Sequence, residues 1–385
     1  MEEHGMLLKN AVVYNEVFEP VKANITVEGS RIRAVDDTPS ASEELDLTGL
    51  TVIPGLIDMH IHGCAGHDTG EATPEALEAM SKCLVERGIT SFCPTSMTLP
   101  FEELERIFAN VAAQKDKVTG AYIHGVNMEG PYIAMSKKGA QNGDYVRNPD
   151  KDEFRRLFEG CGGCIKVVDI APETDGAEAF VKDIEPICPV SIAHTAADYD
   201  QACAAIGWGV RHVTHLYNAQ SGLTHRGPGV VGAVFDNARS RGVRAELICD
   251  GFHIHSAALR IAFHQLGEDQ SIIISDSMSA AGHVDGEYDL GGQTVYVKNG
   301  KALLADGTIA ASTSNVYEEL KNVIRFGIPM KQAVKSATIN PARAIRVDRE
   351  TGSIAAGKSA DLLVLDDNLD IKLVMVRGQI KVNRL

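Results

Sequence analysis

The feature that most constrains the fold is a repeated alternation of short apolar runs with helix-length segments. Eight apolar runs occur, at 56–62, 89–95, 122–129, 165–170, 190–194, 211–215, 245–250 and 272–276. Segments with helical character follow most of them, at 74–87, 101–114, 176–187, 199–207, 256–266 and 316–326. Parallel strands need such crossover helices, and eight strand–helix units are the number in a TIM (β/α)8 barrel. The sequence therefore predicts an α/β fold built on this barrel.

The two ends of the chain have a different pattern. Residues 7–53 alternate short extended runs with turns, such as the Gly29-Ser30 hairpin turn, and β-rich runs return at 361–365 and 371–382. Because chain ends often lie close together, we expect both termini to form one small β-sandwich domain. The predicted division is 1–54 and 345–385 for the β-sandwich and 55–344 for the barrel.

Side chains that can bind metals stand at the carboxyl ends of several predicted strands, the edge at which barrel enzymes carry out their chemistry. They are His60, His62, Glu129, His194, His215 and Asp276. His60 and His62 are two residues apart on one strand, so both imidazoles point to the same side. Any one of these histidines alone could be a hydrogen-bonded core residue. Their shared position instead predicts a divalent transition-metal centre.

Composition argues against several classes of protein. The net charge of −15 argues against nucleic-acid binding, although a few local donors could still hold an anionic small molecule. No run of 18 apolar residues occurs and the start MEEHGMLLKN is unlike a secretory signal, so we expect a cytoplasmic protein without a membrane span. The eight cysteines are then expected to be reduced, with Cys161-Gly-Gly-Cys164 as a CxxC that could have a redox or zinc role.

Nine segments carry a resemblance to known proteins. They are PGLIDMHIHG at 54–63, MEGPY at 128–132, KKGAQN at 137–142, AHT at 193–195, THLYNA at 214–219, RGPGVVGAVFD at 226–236, CDGFHIH at 249–255, SDSMSAAG at 275–282 and NPAR at 340–343. Together they resemble the amidohydrolase superfamily, and within it the deacetylases of phosphorylated N-acetyl amino sugars. The resemblance implies hydrolysis of N-acetylglucosamine 6-phosphate to glucosamine 6-phosphate and acetate, in amino-sugar catabolism and cell-wall sugar recycling.

The resemblance also implies roles for the strand-end residues. Glu129, His194 and His215 would hold a divalent metal, and Asp276 would be the general base and acid. Some relatives lack the HxH pair and use one metal. His60 and His62 therefore indicate either a second metal, bridged to the first by Glu129, or residues that only orient water or substrate. One or two metal ions per subunit are expected, zinc first, with iron or manganese as alternatives.

For the substrate, the resemblance implies contacts from several loops. The residues are Ala140, Gln141, Asn218, Ala219, Arg226, His253, Ile309, Ala310, Ala311 and Ser312. Arg226 and His253 would be phosphate donors, and in relatives a basic phosphate ligand comes from the neighbouring subunit, which implies a homodimer. Gln141 stands where many relatives have a catalytic histidine, so it can donate a hydrogen bond to the substrate carbonyl but cannot carry a positive charge. A related N-acetylated amino-sugar phosphate is therefore an alternative substrate.

Two other functions stay open at this point. One is a different amidohydrolase activity, such as a cyclic-amide hydrolase or a deaminase. A cyclic-amide hydrolase would need a carbamylated lysine at the carboxyl end of strand four, where this chain has VVDI, with Lys166 near the start of the strand. The other is a non-catalytic scaffold on the same fold, which would be marked by loss of metal ligands, and all of them are present.

Overall fold

The computed structural model describes residues 5–36, 41 and 43–385. Residues 1–4, 37–40 and 42 of the predicted β-sandwich segment lie outside the described residues. The first strands are β1 (Met6–Tyr14), β2 (Pro20–Glu28), β3 (Arg31–Asp36), β4 (Glu43–Asp46) and β5 (Thr51–Pro54). β1 pairs antiparallel with β2 and parallel with both β4 and β5, so it stands at the centre of this part of the chain.

The middle of the chain forms the barrel. Its strands and the short strands between them are β6 (Leu56–Ile61), β7 (Gly63–Cys64), β8 (His67–Asp68), β9 (Ile89–Ser96), β10 (Tyr122–Ile123), β11 (Val126–Met128), β12 (Ile165–Ile170), β13 (Val190–Ile192), β14 (His212–Val213), β15 (Arg244–Ile248) and β16 (Ser271–Ile274). Eight of them, β6, β9 and β11 to β16, are parallel neighbours in this order. The Asp276 N–H donates to the His60 carbonyl at 2.9 Å, which joins the last strand to the first. The predicted barrel is confirmed as a nearly closed barrel of eight parallel strands.

Ten α-helices occur in the described residues. They are α1 (Pro74–Val85), α2 (Phe101–Gln114), α3 (Lys151–Gly160), α4 (Ala177–Ile184), α5 (Tyr199–Trp208), α6 (Gly229–Arg241), α7 (Ser256–Leu266), α8 (Val316–Arg325), α9 (Met330–Ala337) and α10 (Ile339–Ala344). α1 begins where Thr73 accepts a hydrogen bond from the Ala76 N–H and Pro74 takes the first position, as the sequence indicates. Within the ranges that the structure covers, none of these helices has the length and apolarity to cross a membrane.

The third predicted strand, 122–129, is two short strands in the structure. β10 pairs with β9, while β11 pairs with β9 and β12. Gly125 lies between them, so close to the neighbouring strand that a Cβ atom would overlap the Cys164 carbonyl oxygen. The Val126 N–H donates to that same carbonyl at 2.9 Å. The break therefore comes from a close backbone contact that only glycine allows.

A four-stranded antiparallel sheet that the sequence analysis did not predict lies between β16 and α8. Its strands are β17 (Gly286–Leu290), β18 (Gln293–Lys298), β19 (Lys301–Leu303) and β20 (Ile309–Ala311). The Gln293 side chain donates to the Ala140 carbonyl, which places this sheet against the loop that carries Ala140 and Gln141. The insertion therefore forms one side of the cavity described below.

Strands from both ends of the chain share one eight-stranded sheet. The last three strands are β21 (Leu362–Leu365), β22 (Ile371–Val376) and β23 (Gln379–Asn383). β21 pairs antiparallel with β5, so the sheet order is β23-β22-β21-β5-β1-β2-β3, with β4 beside β1. Leu8, Ile25, Val52, Leu362 and Leu373 are buried together in a core of their own. The boundaries at residues 54 and 345, and the sandwich form, stay predictions.

Candidate metal centre and cavity

The six metal-binding side chains predicted from the sequence stand at the carboxyl edge of the barrel. His60 lies in β6, and the others follow strands: His62 after β6, Glu129 after β11, His194 after β13, His215 after β14 and Asp276 after β16. His194, His215 and Asp276 have positive φ angles of 40°, 31° and 46°. This conformation costs a non-glycine residue about 1 kcal/mol or more and is concentrated at functional sites. Three such residues in equivalent positions therefore mark this edge of the barrel as the candidate functional site.

The first trio of possible ligands consists of Glu129, His194 and His215, all buried. Glu129 Oε1 lies 3.1 Å from His194 Nε2 and 2.9 Å from His215 Nε2, and the two Nε2 atoms are 3.1 Å apart. The other ring nitrogen of His194, Nδ1, lies 2.8 Å from the Lys137 carbonyl oxygen, which can only accept. Nδ1 therefore carries the proton, and Nε2 presents a lone pair toward Glu129. Such a donor set fits a divalent transition metal.

The second trio consists of His60, His62 and again Glu129. His62 Nε2 is 3.2 Å from Glu129 Oε2, and His60 Nε2 is 3.6 Å from Glu129 Oε1. His62 Nδ1 faces the Thr95 carbonyl at 3.3 Å, which again leaves Nε2 for the centre. His60 Nε2 is buried and has no hydrogen-bond partner among the described residues. A metal ion would satisfy this atom, and Glu129 could bridge two ions.

Asp276 lies beside the second trio. Its Oδ1 atom is 3.3 Å from His62 Nε2 and 3.5 Å from His60 Nε2. Burial raises the pKa of a carboxyl group, but the neighbouring His60 and His62 outweigh it and hold the pKa of Asp276 below its ordinary value. Burial likewise lowers the pKa of His62, yet Asp276 and Glu129 raise it to about 10. Asp276 is therefore ionised and able to accept a proton, and a metal ion that binds His62 must displace a proton from its ring.

Gln141 contacts Glu129 directly. Its Oε1 atom accepts the Thr98 N–H at 2.6 Å, which fixes the orientation of the amide, and its Nε2 atom donates to Glu129 Oε2 at 2.6 Å. Nε2 also faces Met97 Sδ at 3.7 Å, a weak acceptor that a substrate oxygen could replace. Gln141 thus orients a carboxylate shared by both trios and has one N–H left for the cavity.

A cavity of about 410 Å³ is lined by ligands of both trios together with Asp276. Most of the predicted substrate residues also line it, namely Ala140, Gln141, Asn218, Ala219, His253, Ile309 and Ala310. Ala311 and Ser312 are buried outside the lining, where the Ser312 N–H donates to the Asp276 carbonyl at 2.8 Å. Arg226 is exposed and does not line the cavity of its own chain. His253 Nδ1 lies 2.7 Å from Asp250 Oδ2, a contact that fixes its ring.

Two residues of this region were missed by the sequence analysis. Lys137 is the only lysine or arginine among the described residues that line the cavity, and its carbonyl holds His194. Glu246 lies fully buried on β15, 3.0 Å from His60 Nδ1. The signal for Glu246 was available, because a glutamate inside the apolar run 245–250 needs a partner when it is buried. Lys137 lies within a recognised motif, but its place in the cavity could not be read locally.

An eight-stranded parallel barrel with histidine and glutamate clusters at its carboxyl edge has the architecture of barrel enzymes that hold divalent metal ions at that edge. The chain belongs to the amidohydrolase family, whose model matches residues 51–381. Its relatives and structural neighbours in that family include N-acetylglucosamine-6-phosphate deacetylases, so the resemblance seen in the motifs is confirmed.

Three likenesses give the extent of the match. N-acetylglucosamine-6-phosphate deacetylase from Bacillus subtilis (strain 168) is 35% identical over 335 residues, which are 86% of this chain and 84% of the relative. N-acetylgalactosamine-6-phosphate deacetylase from Escherichia coli O157:H7 is 32% identical over 91% of this chain and 92% of the relative. A mutant of N-acetyl-D-glucosamine-6-phosphate deacetylase from Mycobacterium smegmatis, solved in complex with N-acetyl-D-glucosamine-6-phosphate, has a TM-score of 0.91 and 32% identity, covering 99% of this chain and 100% of that chain.

Proposed function

We propose that this chain hydrolyses the acetamide of N-acetylglucosamine 6-phosphate to glucosamine 6-phosphate and acetate, in amino-sugar catabolism and cell-wall sugar recycling. The observation that carries the proposal is the pair of ligand trios that share Glu129 and face one cavity with Asp276. A divalent metal bound there would supply an activated water and polarise the substrate carbonyl. The mycobacterial neighbour, solved with the same sugar phosphate, supports the choice of substrate.

The roles of the residues are part of this proposal. Glu129, His194 and His215 would hold one metal ion, and Glu129, His60 and His62 a second. Asp276 would accept a proton from the attacking water and return it to the departing amine, which would otherwise leave as a poor anion. Its ionised state and its place beside both the cavity and the second trio support this role. Gln141 would donate its remaining N–H to the substrate oxygen.

The sugar phosphate would lie along the rest of the cavity lining. Asn218 and Ala219, which follow the metal ligand His215, would contact the substrate together with Ala140, while Ile309 and Ala310 would cover it from the inserted sheet. His253 would donate to the phosphate. Asp250 holds the ring through Nδ1, so the donation would come from Nε2 of the doubly protonated ring.

We further propose that Arg226 contacts the phosphate of the partner subunit in a homodimer. The exposure of Arg226 outside the cavity of its own chain supports this arrangement, because the planar guanidinium suits a phosphate and does not line the cavity that would hold the sugar phosphate in its own subunit.

N-acetylgalactosamine 6-phosphate is the second candidate substrate. One relative with this specificity is 32% identical, close to the 35% of the Bacillus N-acetylglucosamine-6-phosphate deacetylase. The two sugars differ in the orientation of a single hydroxyl group, so a few contacts in the cavity decide between them. Another amidohydrolase activity has less support, since β12 ends in Asp169 and Ile170 and carries Lys166 as its second residue.

The deciding experiment measures acetate release by the metal-loaded and the metal-stripped protein. The substrates are N-acetylglucosamine 6-phosphate, N-acetylgalactosamine 6-phosphate and unphosphorylated N-acetylglucosamine. We expect turnover of the first sugar, dependence on metal, and little turnover of the unphosphorylated sugar. Preference for the galactose isomer would establish the second candidate. Equal turnover of the phosphorylated and unphosphorylated sugars would refute the proposed phosphate contacts. No acetate release from any of the three sugars would refute the proposed activity.

Further parts of the proposal concern the metal, the location and the division of the chain. Zinc is proposed as the metal, with iron or manganese as alternatives, because the same nitrogen and oxygen donors accept all three. A cytoplasmic location is supported by the eight cysteines, all free thiols. The sheet shared by β1–β5 and β21–β23 supports a small β-sandwich domain of residues 1–54 and 345–385 beside a barrel of 55–344.

A further inference from the structure

Glu246 is a charged residue in the barrel interior whose carboxylate forms hydrogen bonds with three histidines. It is fully buried on β15. Its Oε2 atom lies 3.0 Å from His60 Nδ1 and accepts the His215 backbone N–H at 3.2 Å. Its Oε1 atom lies 2.8 Å from His212 Nε2. One carboxylate therefore contacts the ring of a ligand in the second trio and the backbone of a ligand in the first.

The contact with His60 determines which ring nitrogen faces the candidate metal centre. An ionised carboxylate can only accept hydrogen bonds, so the nitrogen beside it, Nδ1, carries the proton. In the neutral ring the lone pair is then on Nε2, which lies 3.6 Å from Glu129 Oε1 and 3.5 Å from Asp276 Oδ1. Nε2 is also the buried atom that lacks a hydrogen-bond partner in the described part of the chain. Its position is that of a ligand atom prepared for a metal.

His60 is held differently from the other ligands. His194 and His62 direct Nδ1 to backbone carbonyls, of Lys137 and Thr95. A carboxylate is a stronger acceptor and raises the basicity of the imidazole, and such outer contacts typically change metal affinity by about 10–100-fold. His60 is also the only ligand of the second trio that Glu246 touches, so the loss of Glu246 should act mainly on that trio.

We propose that Glu246 is a positioning residue that fixes His60 as the metal ligand of the second trio and braces His215 of the first through its backbone. The inference rests on the proposed function, which places metal ions at these two trios. It assigns to the seventh barrel strand a role in metal occupancy that is separate from substrate binding, because Glu246 does not line the cavity.

The test is a titration of the metal-stripped protein with Co²⁺, followed by visible absorption and by metal analysis after dialysis. The variants are Glu246→Gln, which keeps an acceptor oxygen without the charge, and Glu246→Met, which removes the acceptor. Asp169→Asn is the control, since Asp169 is another fully buried carboxyl group of the barrel but accepts a hydrogen bond from the Thr214 hydroxyl at 2.8 Å and contacts no imidazole in the described residues.

We expect two Co²⁺ ions per chain in the unsubstituted protein and in Asp169→Asn. In Glu246→Gln the second ion should bind about 10–100-fold more weakly. In Glu246→Met it should be lost, with the first ion retained. If the methionine variant does not fold, the affinity of Glu246→Gln for the second ion, compared with that of Asp169→Asn, still tests the proposal.

Three results would overturn the proposal. One is wild-type affinity for the second ion in Glu246→Gln, and another is an equal loss in Asp169→Asn, which would reflect any change to a buried carboxyl group of the barrel. The third is uptake of a single ion by the unsubstituted chain, because no second site would then need positioning. None of these results depends on acetate release, so a failure of the proposed activity is recognised separately.

Discussion

Replacing Asp276 by asparagine separates metal binding from proton transfer. Asparagine keeps an oxygen of the same size where Asp276 Oδ1 lies 3.3 Å from His62 Nε2. The backbone bonds of Asp276 to the His60 carbonyl and from the Ser312 N–H do not involve the side chain, so the local strand end is preserved. What is lost is the proton acceptor. General acid–base catalysis contributes about 10²–10⁴-fold, and Asp276 would act in both directions, so we expect kcat to fall by about 10³-fold, about 4 kcal/mol of barrier.

The assay is initial-rate acetate release with metal content measured on the same samples. Metal occupancy within error of the unsubstituted chain, together with the loss in kcat and little change in KM, is the expected outcome. Activity within tenfold of the unsubstituted chain at equal metal content would refute the role of Asp276 in proton transfer. Loss of metal in the variant would instead make Asp276 a metal ligand, and the reasoning from its 3.3 Å and 3.5 Å contacts would need revision.

Three further outcomes follow from single contacts. Lys137→Met removes the one lysine or arginine among the described residues of the cavity lining. The KM for N-acetylglucosamine 6-phosphate should then rise about tenfold or more, with little change in kcat. An unchanged KM in rate measurements would contradict this prediction. Gln141→Leu leaves the buried Thr98 N–H without its acceptor. Urea unfolding should therefore show a loss of about 1–3 kcal/mol in the free energy of unfolding. An unshifted urea midpoint would contradict this prediction. Burial, with Lys166 and Arg377, lowers the pKa of His124 from 6.5 to about 3, so its contribution to stability is complete above pH 6.5 and is lost as the pH falls toward 3. His124→Phe should remove up to about 5 kcal/mol of this acid sensitivity, and an unchanged slope of unfolding free energy against pH would show that His124 is not its source.

The barrel could be predicted from the sequence because each of its strands is a short apolar run that ends at polar residues. Runs such as Ser271–Ile274 are buried on both sides, and capping residues such as Thr73 mark where helices begin. The inserted sheet was missed although it had a signal. Gly291-Gly292 is a two-residue turn between β17 and β18, and β18 alternates buried and exposed positions.

The candidate site could be predicted only as far as side chains lie on strand ends. Alternation along β6 brings His60 and His62 to one side, and the end of each later strand contributes one more group. The contacts that orient these groups come from distant parts of the chain. Glu246 meets His60 across 186 positions, and Thr95 meets His62 across 33. No local pattern encodes such pairs, so the tautomers of the ligands became apparent only in the folded chain.

The way each proposed ligand is held indicates how the proposed metal centre is organised. His194, His215 and Asp276 share a strained backbone with positive φ, and strain of about 1 kcal/mol or more each persists only where the surroundings determine it fully. For His215 the surroundings include the Glu246 carboxylate at its N–H, while its own Nδ1 has no partner in the part of the chain that the structure describes. Its ring is therefore fixed by backbone geometry, by Glu129 and by the edge-on contact with the His194 ring, whose centroid is 4.8 Å away. Since Glu129 is in turn held by Gln141, a single carboxylate and its amide partner set the spacing of both trios. The centre is thus organised around Glu129 from the cavity side and around Glu246 from the barrel side.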